Sequence, residues 1–140
     1  MKKVLLFALA FSVLAIFQSC DKETLSVPVY PIEGLWIGTY NIEEAVEEGD
    51  SFYYSYYIRK DDSIQVHSQG ADGNTYYGIG TWTLNDTIFN AQITTTNFGQ
   101  QGQVQNVSAI YDKKKGVLKE GRVESATGFF LASFKLSRTN

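Results

Sequence analysis

The sequence predicts an all-β domain, an eight-stranded antiparallel up-and-down barrel that follows an N-terminal export signal and a short tether. Three observations carry this expectation. Beyond Pro31, turn signals recur about every 10 to 14 residues. The segments between them are rich in Tyr, Phe, Ile, Val and Thr, the composition of strands. Their apolar residues alternate with a period of two, not 3.6: Ile64 and Val66 fall opposite Gln65 and His67, and Phe130, Phe134 and Leu136 fall opposite Lys135. A meander of eight strands has two unpaired edges unless the sheet closes, and closure removes both.

The chain begins with Lys2 and Lys3 before an apolar run, Val4 to Phe17, interrupted only by Ser12, which ends in Gln18 and Ser19 just ahead of Cys20. A membrane-spanning helix needs about 20 apolar residues. This shorter run with polar flanks has the layout of an export signal, so residues 1–19 are expected to be removed. Phe17-Gln18-Ser19-Cys20 resembles a bacterial lipobox in a loose form, which implies that Cys20 carries the lipid. Cys20 is also the only cysteine of the chain, and an unpaired thiol in an exported protein calls for such an explanation. One acyl chain holds a protein to a membrane marginally, whereas two or three hold it stably. Residues 20–32 then form a lipidated tether, polar at first and punctuated by Pro28 and Pro31, which favour extended backbone. About eleven residues from Asp21 reach at most about 36 Å. Asp21-Lys22-Glu23 resembles the charged signal that sends Bacteroidota lipoproteins to the cell surface, and reads otherwise as a solvated tether, so the resemblance implies the outer membrane with its periplasmic and cell-surface faces both open.

Residues 33–140 form the barrel domain. Its expected strands are Gly34 to Ile42, Phe52 to Arg59, Ser63 to Ser68, Thr75 to Leu84, Thr87 to Asn97, Gln103 to Asp112, Val117 to Val123 and Gly128 to Ser137. The breaks between them, such as Asp61-Asp62, Asn85-Asp86 and Lys113 to Gly116, are mostly short enough for hairpins, which makes neighbouring strands antiparallel. Only Glu43 to Asp50 is longer and acidic.

Composition excludes several function classes. Without residues 1–19 the chain keeps ten basic against fifteen acidic residues, a net charge of about −5. A nucleic-acid surface needs clustered Lys and Arg, and the one such run, Lys113-Lys114-Lys115, reads as a turn. No nucleic-acid partner is expected. His67 is the single histidine and falls on the outward face of its strand; with the only cysteine lipidated, the ligands of a zinc site are missing. The acidic run Glu43 to Asp50 lacks the spaced, glycine-centred calcium pattern. There is no Gly-x-Ser-x-Gly elbow, and Glu120 and Glu124, although they share a strand face by parity, have no other mark of a carboxylate pair. The expectation is a protein that is not an enzyme and has neither metal nor cofactor.

An eight-stranded barrel is just wide enough to be filled by its own side chains or to hold one small ligand. The second strand is aromatic on both faces, with Phe52, Tyr54 and Tyr56 on one and Tyr53 and Tyr57 on the other. Tyrosine joins an apolar ring to a hydroxyl that needs a partner when buried. The residues expected to line a pocket are Trp36, Tyr54, Tyr56 and Tyr77, with Tyr40 and Trp82 next.

Gly34-Leu35-Trp36 looks like the Gly-x-Trp opening of lipocalin-type barrels. With Gly80-Thr81-Trp82-Thr83-Leu84, Ala109-Ile110-Tyr111-Asp112 and the closing strand from Gly128 to Leu136, the chain is similar to the small lipocalin-like lipoproteins of Bacteroidota over nearly its whole mature length. The resemblance implies the up-and-down barrel and a small apolar molecule bound inside it. In place of the arginine that packs on the first tryptophan in that family, the last strand offers Lys135 and Arg138. Asp62-Ser63-Ile64 and Asp86-Thr87-Ile88 resemble the sequence those bacteria use for O-glycosylation, which would place glycans on Ser63 and Thr87. The leading expectation is thus a lipid-anchored barrel of the cell envelope that binds a small apolar or aromatic molecule. The alternative is a filled barrel that acts through a protein partner, as an envelope accessory factor or a hydrolase inhibitor.

Overall fold

The computed structural model describes residues 28–42, 51–96 and 102–139. Cys20, the export signal and the acidic segment 43–50 lie outside the described residues. Eight strands follow one another: β1 Gly34–Ile42, β2 Phe52–Ile58, β3 Ser63–Gln69, β4 Thr75–Asn85, β5 Ile88–Thr96, β6 Gln103–Asp112, β7 Val117–Ser125 and β8 Phe130–Arg138. Each pairs antiparallel with the next, and β8 returns to β1 to close the barrel. The closing register runs from Trp36↔Arg138 to Ile42↔Ala132. All eight expected strands form, each within two residues of its expected bounds.

Alternation fills the interior. Trp36, Tyr56, Ile58, Ile64, Phe89, Ile93, Leu118 and Leu136 are buried essentially completely, and none needs a charge satisfied. Two bulges interrupt the alternation. Between Leu118 and Gly121 the β7 register against β8 slips, with Glu120 in the left-handed region at φ 53°. A second slip lies between Val123↔Ala132 and Glu124↔Phe130. This one skips Leu131 and reverses the facing of what precedes it, since one extra residue changes strand parity. Phe130 therefore does not share the face of Phe134 and Leu136, as strict alternation predicts, and stacks instead under the exposed Arg122 guanidinium at 4.6 Å.

One end of the barrel is sealed. Here lie the β2–β3, β4–β5 and β6–β7 turns and the segment that leads into β1. The Trp36 indole N–H donates to the Ile32 carbonyl at 2.7 Å, with Ile32 itself buried. Tyr30 N–H donates to the Lys113 carbonyl, and the Tyr111 hydroxyl donates to the Tyr30 carbonyl. Residues Tyr30 to Ile32, expected as tether, thus pack as a strap across the base. The β6–β7 turn accommodates this: Gly116 has φ 62° and a Cβ there would stand 3.0 Å from the Tyr30 ring, so only glycine suits both demands. Arg138, opposite Trp36 in register, donates to the Glu33 carbonyl at the same end. The core and the closing ladder lie within the described residues from Tyr30 to Thr139, a span of ordinary domain size.

Candidate ligand-binding site

Among the described residues, the other half of the barrel is not filled. A cavity of about 310 Å³ lies at the end where β1–β2, β3–β4, β5–β6 and β7–β8 connect. Segments 43–50 and 97–101 of these connections are outside the described residues. The strands build the walls: Tyr40 and Ile42 from β1, Tyr54 from β2, Val66 and Ser68 from β3, Tyr76 and Gly78 from β4, Thr95 from β5, Gln103 and Gln105 from β6, Val123 from β7, and Leu131 and Ala132 from β8. None of these described lining residues is charged. Small residues occupy inward positions here: Gly78, Ala132 and Ser68 lie on strands that carry Trp82, Leu136 and Ile64 toward the sealed end.

Tyrosine rings form one side of the cavity. The Tyr54 ring lies 5.0 Å from Tyr40, 4.9 Å from Tyr56 and 5.5 Å from Phe134, all inclined or edge-on, the favourable geometry for aromatic quadrupoles. The Tyr56 hydroxyl donates to the Tyr54 hydroxyl at 2.9 Å. Burial pushes both hydroxyls above their ordinary pKa of 10, because desolvation penalises a phenolate. Tyr40 donates to the Gln69 carbonyl at 2.9 Å, and its pKa is raised first by burial and then by Tyr76 and Asp72.

Of the six residues expected in the pocket, Tyr40 and Tyr54 line it. Tyr77 borders it with its ring on the outer face, 45% exposed and edge-on to the exposed His67 at 4.6 Å. Trp36, Tyr56 and Trp82 are buried elsewhere in the core. Trp36 and Trp82 seal the base, where the Trp82 indole donates to the Arg59 carbonyl at 2.9 Å, and Tyr56 packs between Tyr54 and Phe89. The inward aromatic of β4 at the cavity end is Tyr76. Parity reveals it: no bulge interrupts β4 against β3 or β5, so a buried Trp82 places Tyr76, Gly78 and Gly80 inward and Tyr77 outward. Ser63 is half-buried and donates to Asp61 at 2.5 Å, whereas Thr87 is exposed in the β4–β5 turn. Glu120 and Glu124 lie outside the barrel in ion pairs with Lys119 and Arg122. Among the described residues, no three His, Cys, Asp or Glu side chains gather to hold a metal.

A small clamp fixes the β3–β4 turn beside the cavity. The Tyr76 hydroxyl donates to Asp72 at 2.6 Å, and the Asn74 backbone and side-chain amides donate to the same carboxylate. These bonds, the one from Tyr76 foremost, hold the Asp72 carboxyl below its ordinary 3.8. A depressed carboxylate contributes its stabilisation above its unfolded pKa and loses it as pH falls through the folded one. The Tyr76 ring resonances are therefore expected to stay constant above about pH 5 and to shift only below about 3.8, with Asp72→Asn showing the shifted position throughout. An NMR transition centred above pH 5 would contradict the clamp.

No protein-family model matches the chain, and no curated protein matches it. Among solved structures it is similar to a redesigned β-barrel, mFAP1, determined bound to DFHBI. The identity is 20%, the TM-score 0.51, and the match covers 76% of this chain and 94% of that one. The likeness is one of fold, a closed β-barrel.

Proposed function

We propose that this chain is a lipid-anchored barrel of the cell envelope that takes one small, uncharged, apolar or aromatic molecule into the cavity beside Tyr40, Tyr54 and Tyr76. The carrying observation is the cavity of about 310 Å³ in an otherwise packed interior. It is of the size that small-molecule sites begin at, and like them it combines apolar walls with a few placed polar groups. Ser68, Thr95, Gln103 and Gln105 are such groups. A charged ligand would shed its hydration with no opposite charge among the described walls to replace it. The similar barrel solved with DFHBI bound supports the reading at the level of fold. The anchor rests on the sequence around Cys20, and Cys20→Ser is expected to move the protein from the membrane to the soluble fraction.

Native mass spectrometry of residues 21–140, purified from the source organism, tests the cavity. The expected result is a stoichiometric small molecule released on denaturation. Ser68 lies between Tyr54 and Tyr76 in the register, so Ser68→Phe inserts a ring between two walls of the cavity. This variant is expected to lose the passenger, with affinity down at least about 100-fold, and to melt within about 5 °C of the parent. A clean mass for the parent, unchanged when envelope lipids and aromatic metabolites are added, would sink the binding reading in favour of a protein partner.

A further inference from the structure

Two buried hydroxyls meet, that of Tyr54 from the cavity wall and that of Tyr56 from the core beside it, and together they have one proton more than their contact uses. Tyr54 is 4% exposed and Tyr56 is fully buried. One hydrogen bond joins them, donated by Tyr56, and the Tyr54 proton meets no acceptor among the described residues. Whichever hydroxyl donates, a pair of phenols in mutual contact leaves one O–H unspent. Of the two, Tyr54 is the one that lines the cavity. A buried donor without an acceptor is unfavourable, and a ligand atom that accepts from it relieves that cost. The neighbours do not: the Tyr40 hydroxyl is turned to the Gln69 carbonyl and makes no hydrogen bond with Tyr54, and the Phe134 ring has no lone pair to offer.

Resting on the cavity reading above, we infer that the ligand has a neutral hydrogen-bond acceptor, a carbonyl oxygen joined to a flat apolar body, and that this oxygen seats on the Tyr54 hydroxyl. The acceptor is neutral because one phenol is a single donor, and the described lining has no Lys or Arg to compensate a carboxylate. The bond donated by Tyr56 polarises the Tyr54 hydroxyl and makes it the stronger donor, as in any chain of hydrogen bonds at low dielectric. Both phenols stay protonated at neutral pH, because burial raises their pKa values.

Three probes of one shape test this on residues 21–140 by calorimetry: 2-acetylnaphthalene, 2-isopropylnaphthalene and 2-naphthoate. The ketone is expected to bind about tenfold more tightly than the hydrocarbon, the equivalent of one hydrogen bond, and the carboxylate more weakly than either. In Tyr54→Phe the ketone-to-hydrocarbon ratio is expected to fall to about one while the hydrocarbon still binds. In Tyr56→Phe, which keeps the Tyr54 proton, the preference is expected to persist within about threefold. Equal binding of ketone and hydrocarbon in the parent would overturn the acceptor inference and leave the cavity reading standing. Binding of 2-naphthoate as tight as the ketone would overturn the neutral acceptor. Failure of every probe to bind would overturn the cavity reading and this inference with it.

Discussion

Trp36→Ala is expected to lower the melting temperature by roughly 20 °C. The ring is completely buried, sits edge-on to Tyr111 at 6.0 Å, and is the group to which the strap is fastened through Ile32. Large-to-alanine changes at such sites cost about 3 to 5 kcal/mol, and the Ile32 carbonyl loses its donor as well, which adds about 1 kcal/mol. Against a typical domain stability of about 5 to 15 kcal/mol, and about 4 to 8 °C per kcal/mol for a domain near 100 residues, the base of the barrel is left marginal. Trp36→Phe separates the two contributions: it keeps most of the ring and deletes the indole N–H, and is expected to cost about 1 to 2 kcal/mol. Calorimetry on both variants decides the matter. A Trp36→Ala protein that melts within about 5 °C of the parent would show that the base does not depend on this plug. Ligand affinity of the folded fraction is expected to be unchanged, since Trp36 seals the end opposite the cavity.

Gly80→Ala is expected to cost about 3 kcal/mol or more, an unusual price for one methyl group. Gly80 faces inward on β4 between Ile64 of β3 and Ile93 of β5. A Cβ placed there would stand 1.9 Å from the Gln92 carbonyl oxygen and 2.9 Å from the Ile93 Cα. The obstacle is the backbone of the next strand, so no rotamer change relieves it and the ladder must move. Glycines in strands commonly mark such close approaches of backbone. Gly73→Ala is the control. It sits in the β3–β4 turn at φ 78° with nothing within 4 Å of the new Cβ, so only the left-handed conformation opposes it, at about 1 to 2 kcal/mol. Urea titrations should show a large fall in midpoint for Gly80→Ala and a small one for Gly73→Ala, with similar slopes. Equal midpoints would mean that β4 and β5 can separate freely at this point.

Much of the barrel is legible in the chain because local and global signals agree. The Lys113 to Gly116 turn is read from composition, and in the fold Asp112 accepts from the amides of Lys114 and Lys115 while Gly116 takes the positive φ the turn needs. Outward His67 and buried Ile64 and Val66 follow from alternation alone. Tyr76 was within reach of the same argument: Trp82 and Tyr77 differ by an odd number of positions, so both cannot point inward on one uninterrupted strand. The Gly78 position, inward by that parity, was the available sign of unfilled volume. Phe130 was beyond reach, because the Leu131 bulge that reverses its facing has no composition signal of its own.

The sequence by itself determined the strand count, the antiparallel order and the expectation of closure, since each follows from the period of apolar residues and the chemistry of short turns. Only the tertiary structure decided which aromatic rings fill the barrel and which border a space. That depends on how far around the closed sheet two inward positions stand from each other, a distance set by strand tilt, register and bulges. Trp36 and Tyr40, four residues apart on one strand, thus serve opposite ends: one seals the base with Ile32, the other walls the cavity with Tyr54.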